Sequence, residues 1–115
     1  ILLCLLSSCE FDHKQNVYPK PVHFPAEGGK IIVSGYEFVY GTFIEKNGDC
    51  VAYGNLDEND SINTSYEWLT VKNKFHSPSL EIIASPSDRK KQRKLKIIAN
   101  FGTEYAEINV SQNGI

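Results

Sequence analysis

The sequence has no methionine, five alanines, one tryptophan and three cysteines in 115 residues. The strongest helix formers are scarce, and no stretch sustains apolar residues at helical spacing, so a helical fold is excluded. Three cysteines are too few to staple a disulfide scaffold. No single charge dominates, because 12 basic and 14 acidic side chains leave a formal net charge of -2. A dedicated nucleic-acid binder would be clearly basic, so none is expected. The length fits one domain and excludes a dinucleotide domain joined to a substrate domain. The longest apolar run, residues 1–6, is far short of the roughly 20 residues that span a bilayer.

What is present is β-branched and aromatic. Val, Ile and Thr number 22, beside six Phe and six Tyr. Val22-His23-Phe24 alternates, and Lys30 to Ser34 reads as a strand broken by Gly35. Tyr36 to Glu45 reads as a second strand with Phe38, Tyr40, Thr42 and Ile44 on one face. Tyr36, Phe38 and Tyr40 are expected in the core. Asn47-Gly48 marks a tight hairpin returning through Cys50 to Tyr53. Residues 54–65 read as a polar loop and 73–79 as another. Tyr66 to Val71, Leu80 to Ser85, the alternating set Leu95, Ile97, Ala99 and the set Ala106, Ile108, Val110 read as strands. The expected fold is an all-β, immunoglobulin-like antiparallel β-sandwich of about seven to eight strands.

The first nine residues carry a different message. An apolar run that ends in small residues is how a secretory signal meets its cleavage site. With no Met at position 1, the chain is expected to begin inside a precursor. Leu6-Ser7-Ser8-Cys9 resembles a bacterial lipobox, which implies cleavage before Cys9 and lipidation of its sulfur. Several acyl chains at about 0.8 kcal/mol per buried methylene would anchor the protein stably. The resulting organisation is a signal-peptide end at 1–8, a lipid-anchored linker at 9–21 and a domain at 22–115. The expected location is the cell envelope, at the outer membrane, on its periplasmic or surface face.

The domain also carries motifs in a fixed order. Phe24-Pro25-Ala26-Glu27-Gly28-Gly29 precedes a β-rich strand, and Glu67-Trp68-Leu69-Thr70-Val71 follows later. Arg93 leads into a strand, and the chain closes with Ile108-Asn109-Val110-Ser111-Gln112-Asn113-Gly114. This pattern resembles the BACON domain, an Ig-like module of Bacteroidetes surface proteins. The resemblance implies an extracellular glycan setting, since such domains are proposed to bind carbohydrate, including mucin glycans, and often act as spacers in glycan-degrading enzymes; a sandwich this small leaves little scaffold for a substrate cleft, so no catalytic activity is expected. It transfers no ligand contact to any residue. The Gly28-Gly29 pair and Gln112 read as structural, because an amide can tie strand ends to loop backbone.

Candidate ligand-binding residues come from two features. Tyr66 and Trp68, two apart, would share a strand face and form an aromatic platform for a sugar ring; otherwise Trp68 packs inside the sandwich. On the platform reading, Trp68→Ala abolishes glycan binding and spares the fold. Arg89, Lys90, Lys91 and Arg93, extended by Lys94 and Lys96, form a basic run suited to an anionic glycan, a phospholipid headgroup or nucleic acid, or to a solvated hairpin.

Asp57, Asn59, Ser61 and Asn63 alternate like a calcium loop. Ile62 and Trp68 occupy the positions that need Gly and Glu, so no metal is expected. Asp60-Ser61-Ile62 resembles a Bacteroidetes O-glycosylation signal at Ser61. His13, His23 and His76 lack metal spacing, and Cys50 is expected to pack as a small apolar residue. No cofactor or catalytic residue is assigned. A carbohydrate-binding lipoprotein is one reading, and an Ig-like accessory subunit docking onto a protein partner is the other. An exposed Trp68 favours the first, and a buried Trp68 with an apolar exposed sheet face favours the second.

Overall fold

A computed structural model describes residues 13–74 and 77–115; the lipobox, Cys9 and His76 lie outside the described residues. Eleven strand segments follow one another: β1 (His13–Lys14), β2 (Val22–Phe24), β3 (Gly29–Val39), β4 (Gly41–Lys46), β5 (Asp49–Tyr53), β6 (Asn55–Leu56), β7 (Ser61–Tyr66), β8 (Leu69–Lys74), β9 (Ser77–Ala84), β10 (Arg93–Asn100) and β11 (Glu104–Gln112). Eight of them have five or more residues, in line with the strand number read from sequence. One sheet runs β1-β11-β10-β4-β5, with β2 also on β11, and the other runs β3-β9-β8-β7-β6. The protein is an all-β, immunoglobulin-like sandwich.

Period-2 alternation builds the core between the sheets. Leu95, Ile97 and Ala99 of β10 face Val110, Ile108 and Ala106 of β11 in register. Across the interior, Leu69 and Val71 of β8 pair with Ala84 and Ile82 of β9. All ten side chains are buried, with Phe24, Ile44 and Leu80 beside them. Directly opposed aliphatic pairs are the unit of sheet stabilisation.

The stretch from 29 to 46 departs from the sequence reading. Gly35 does not end a strand; β3 runs through it. Tyr36, Phe38 and Tyr40 face outward, against the expectation that they lie in the core. The reason is a change of sheet. At Tyr40-Gly41 the chain leaves the β3 sheet for the β4 sheet, and the Tyr40 amide donates to the Asn100 carbonyl at 2.8 Å. Even-numbered positions point outward before this corner, and Thr42 and Ile44 point inward after it. The alternation is unbroken, but the inside has moved to the other face.

A second corner carries the chain back between β5 and β6. The Gly54 amide donates to the Thr42 carbonyl at 3.0 Å. Any Cβ on Gly54 would strike Ile62 and Thr64, so the close approach requires glycine. The buried Thr42 and Thr64 hydroxyls bond each other there. Asn47 and Gly48 form the expected β4–β5 turn, with φ of 53° and 85°.

The domain begins earlier than the sequence suggested. Residues 13–21 are not a free linker. β1 pairs parallel with the start of β11, the Gln15 amide nitrogen of the backbone donates to the Tyr105 carbonyl at 2.7 Å, and the Gln15 side chain donates to Glu104. Lys14 bridges Glu107 at 2.9 Å. Burial works to raise the Glu107 pKa, but Lys14 and Lys96 outweigh it and hold the carboxyl below its ordinary value. Val17 and Tyr18 then enter the core. The Tyr18 hydroxyl donates to the Pro78 carbonyl at 3.1 Å.

Burial pushes the Tyr18 phenol up to about 12. Above pH 10 the unfolded chain releases this proton while the folded chain keeps it, so stability is lost as pH rises from about 10 to about 12. Tyr18→Phe should lower stability at neutral pH by about 1 kcal/mol, through the lost Pro78 bond. It should also remove Tyr18's share of the alkaline decline. Urea unfolding of both proteins across pH 8 to 12 checks this, and parallel declines would refute the assignment.

Candidate functional site

One end of the sandwich is organised by a single buried amide. Gln112, fully buried at the end of β11, donates through Nε2 to the carbonyls of Ser85 (2.7 Å), Pro25 (3.2 Å) and Ala26 (3.4 Å). Its Oε1 accepts from Arg93 Nε at 2.8 Å. Four loops and strand ends are thereby joined. Backbone bonds reinforce the junction: Ser87 donates to Ala26 (2.6 Å), Asn113 to Phe24 (3.0 Å) and Ile115 to Arg89 (2.8 Å). Gly28, at φ +81°, lies so close to the Ala84 carbonyl that a side chain would collide with it. The structural reading of Gly28 and Gln112 is thus given its geometry.

Trp68 belongs to this junction. Tyr66 and Trp68 do not share a strand face, because Glu67 and Trp68 form the two-residue turn between β7 and β8, with Glu67 at φ 50°. Trp68 is only 5% exposed, and its carbonyl accepts from the Ser85 amide at 2.9 Å. The Tyr66–Trp68 platform is therefore corrected: the indole lacks a free face for a sugar, and its removal would open the core. Tyr66 is half-buried, with Lys46 Nζ 5.9 Å from its ring centre.

The Arg93 guanidinium lies 5.0 Å from the Trp68 ring centre and also donates to the Pro86 carbonyl at 3.4 Å. This stack forms the wall of an open groove of about 610 Å³. Lys46, Arg89 and Lys94 join Arg93 as cations around it, against Glu67 and Asp88. Glu67 is held by Lys46 at 3.4 Å. The Ser87 hydroxyl accepts from the Arg89 amide at 3.2 Å and fixes that loop.

The basic run read from sequence is thus divided. Arg89, Arg93 and Lys94 meet at the groove, Lys90 and Lys91 are exposed outside its lining, and Lys96 turns to Glu107 at 3.6 Å. Sequence reasoning missed Lys46, which arrives from β4; nothing local marks it, and only the β4–β10 pairing brings it near. What the groove can do is grip an anion: a pre-oriented guanidinium matches the two oxygens of a sulfate or carboxylate, and serine hydroxyls suit sugar hydroxyls.

The Asp57 loop closes on itself. Asp57 Oδ1 accepts from the amides of Asn59 (2.8 Å) and Ser61 (2.9 Å), and Oδ2 from Asn63 Nδ2 (3.0 Å). Those backbone bonds hold the carboxyl below its ordinary value. The calcium-like alternation thereby has a local explanation. Ser61 starts β7, half-buried, just after the loop. Cys50 is buried in β5.

A second surface stands apart from the groove. Ile32, Tyr36 and Phe38 project from β3 with 62%, 71% and 57% exposure. β3 is the edge of its sheet.

Gln112→Ala should cost about 1–3 kcal/mol, since the Ser85 carbonyl and Arg93 Nε lose a partner, while the Pro25 and Ala26 carbonyls keep their bonds from the Gly28 and Ser87 amides. Gln112→Glu should be as damaging, because a carboxylate would face those carbonyls. Chemical denaturation measures both, and a loss below about 1 kcal/mol in each would show that the junction does not depend on the amide.

No family model and no curated protein matches the chain. Among solved structures, the NMR structure of a protein from Bacteroides thetaiotaomicron is similar, with a TM-score of 0.56 and 18% identity over 90% of this chain and 81% of that one. At that identity the likeness concerns the fold alone.

Proposed function

We propose that this chain is a non-catalytic, lipid-anchored module of the bacterial cell envelope that binds acidic carbohydrate in the groove beside Arg93. The observation that carries the reading is the Arg93 guanidinium, stacked on Trp68 and fixed by Gln112 at the wall of an open, cation-lined groove. Ordering this long side chain in advance lowers the entropy cost of gripping a ligand. The groove is open and lined mainly by charged residues and serines, which suits a saccharide chain better than an enclosed small molecule. The BACON-like order of motifs and the lipobox at Leu6-Ser7-Ser8-Cys9 support the same setting, with Cys9 as the lipid attachment point and Ser61 as a glycosylation site.

A second reading, an accessory subunit that docks onto a protein, is favoured by the buried Trp68 and the exposed apolar row on β3.

The test is retention on a sulfated polysaccharide resin and on mucin. Binding is expected at low salt and weakens as salt rises, because the contacts are ionic. Arg89→Ala combined with Lys94→Ala should weaken it about tenfold or more, as the loss of two charge-assisted contacts implies. Tyr36→Ala should leave it unchanged. No retention at low salt, or equal retention by the double variant, would overturn the groove reading.

A further inference from the structure

Glu67 stands at the groove in a backbone conformation that does not suit it. It is the first residue of the two-residue turn between β7 and β8, at φ 50°. That left-handed region favours glycine, and a bulky side chain there is strained. The hairpin turn between β4 and β5 meets the same demand with Asn47 and Gly48. Such strain gathers at binding sites, where the side chain itself has a use.

The Glu67 carboxylate lines the groove. Its Oε1 holds Lys46 Nζ at 3.4 Å, and its Oε2 makes no hydrogen bond among the described residues. Arg89, Arg93 and Lys94 have no ion-pair partner among the described residues. Arg93 uses Nε on Gln112 and Nη2 on Pro86, so Nη1 remains to take an acid group. The groove thus presents three unanswered cations and, from another pair of strands, a cation already answered by Glu67. Asp88 adds a second carboxylate from the loop that carries Arg89.

We propose that Glu67 sets which acidic saccharides the groove accepts. It selects chains with one acid group flanked by hydroxyls and rejects chains with acid groups on successive sugars. The inference rests on the groove reading. An acid group at Arg89, Arg93 and Lys94 meets cations. A second acid group, on the next sugar, comes against carboxylates of like charge. It also finds Lys46 withheld, because Glu67 holds it. A hydroxyl in the same place donates to Glu67 Oε2 instead. Discrimination of this kind needs a repulsive element beside the attractive one.

The test uses the full chain and two probes. Sialyllactose carries one carboxylate on three sugars, and dextran sulfate carries sulfate on successive sugars. Glu67→Gln removes the charge and keeps the size. It should shift the ratio of the two affinities toward dextran sulfate about three- to fivefold, the scale of one exposed ion pair. Glu81→Gln makes the same charge change on β9, outside the groove, and should leave the ratio as it is in the native chain. Glu67→Gly should shift the ratio as Glu67→Gln does without lowering the urea midpoint, because glycine suits the turn. A clear fall in that midpoint shows that Glu67 serves the fold and overturns the proposal. So does an unchanged ratio in Glu67→Gln, or an equal shift in Glu81→Gln. Native binding to dextran sulfate alone overturns the selection and spares the groove. If the native chain binds neither probe at low salt, the groove reading falls and this inference with it.

Discussion

The structure depends most on the need to satisfy buried polar groups where strands end. Loops that close a sandwich bring backbone carbonyls inward, and each is costly if left unmet. Gln112 resolves this at one end by meeting three of them with one amide nitrogen and Arg93 with its oxygen. Because Arg93 is bonded there through Nε, its guanidinium lies against Trp68 at the groove wall. The order of the groove therefore follows from a hydrogen-bonding requirement inside the fold.

Where local pattern coincided with local structure, the sequence was readable. The alternation in β10 and β11 and the Asn47-Gly48 turn need nothing beyond neighbouring residues; Gly28 and Gln112 were legible from residue type, although the partners that use them lie far along the chain. The errors arise where the inside is defined by distant parts. Even positions from Phe38 to Ile44 look like one face, and only the sheet change at Tyr40-Gly41 divides them. β7 looks like loop because its inward residues are Ile62 and Thr64 among polar neighbours, and the hydroxyl is buried only because Thr42 meets it. Residues 13–18 look like tether because their short strand, β1, pairs with residues some ninety positions later.

The candidate site divides the same way. The basic run was visible as a cluster, but sequence order could not say which cations converge. Strand direction decides it: Lys94 and Lys96 are two apart on β10, yet one lines the groove and the other meets Glu107. Trp68 was visible as a notable residue, and its role reversed once the turn at Glu67 took it out of strand geometry. It is buried at the groove wall with the Arg93 guanidinium against its ring.

The docking of β1 has a geometric consequence. It joins β11 at Glu104–Tyr105, while Gln112 stands at the other end of the same strand. Eight steps at about 3.3 Å put those levels about 26 Å apart. The polypeptide thus comes in at one pole of the sandwich and presents its charged groove at the other. The length of β11 therefore sets the cations of the groove apart from the place where β1 docks, so a change at either pole leaves the geometry of the other intact.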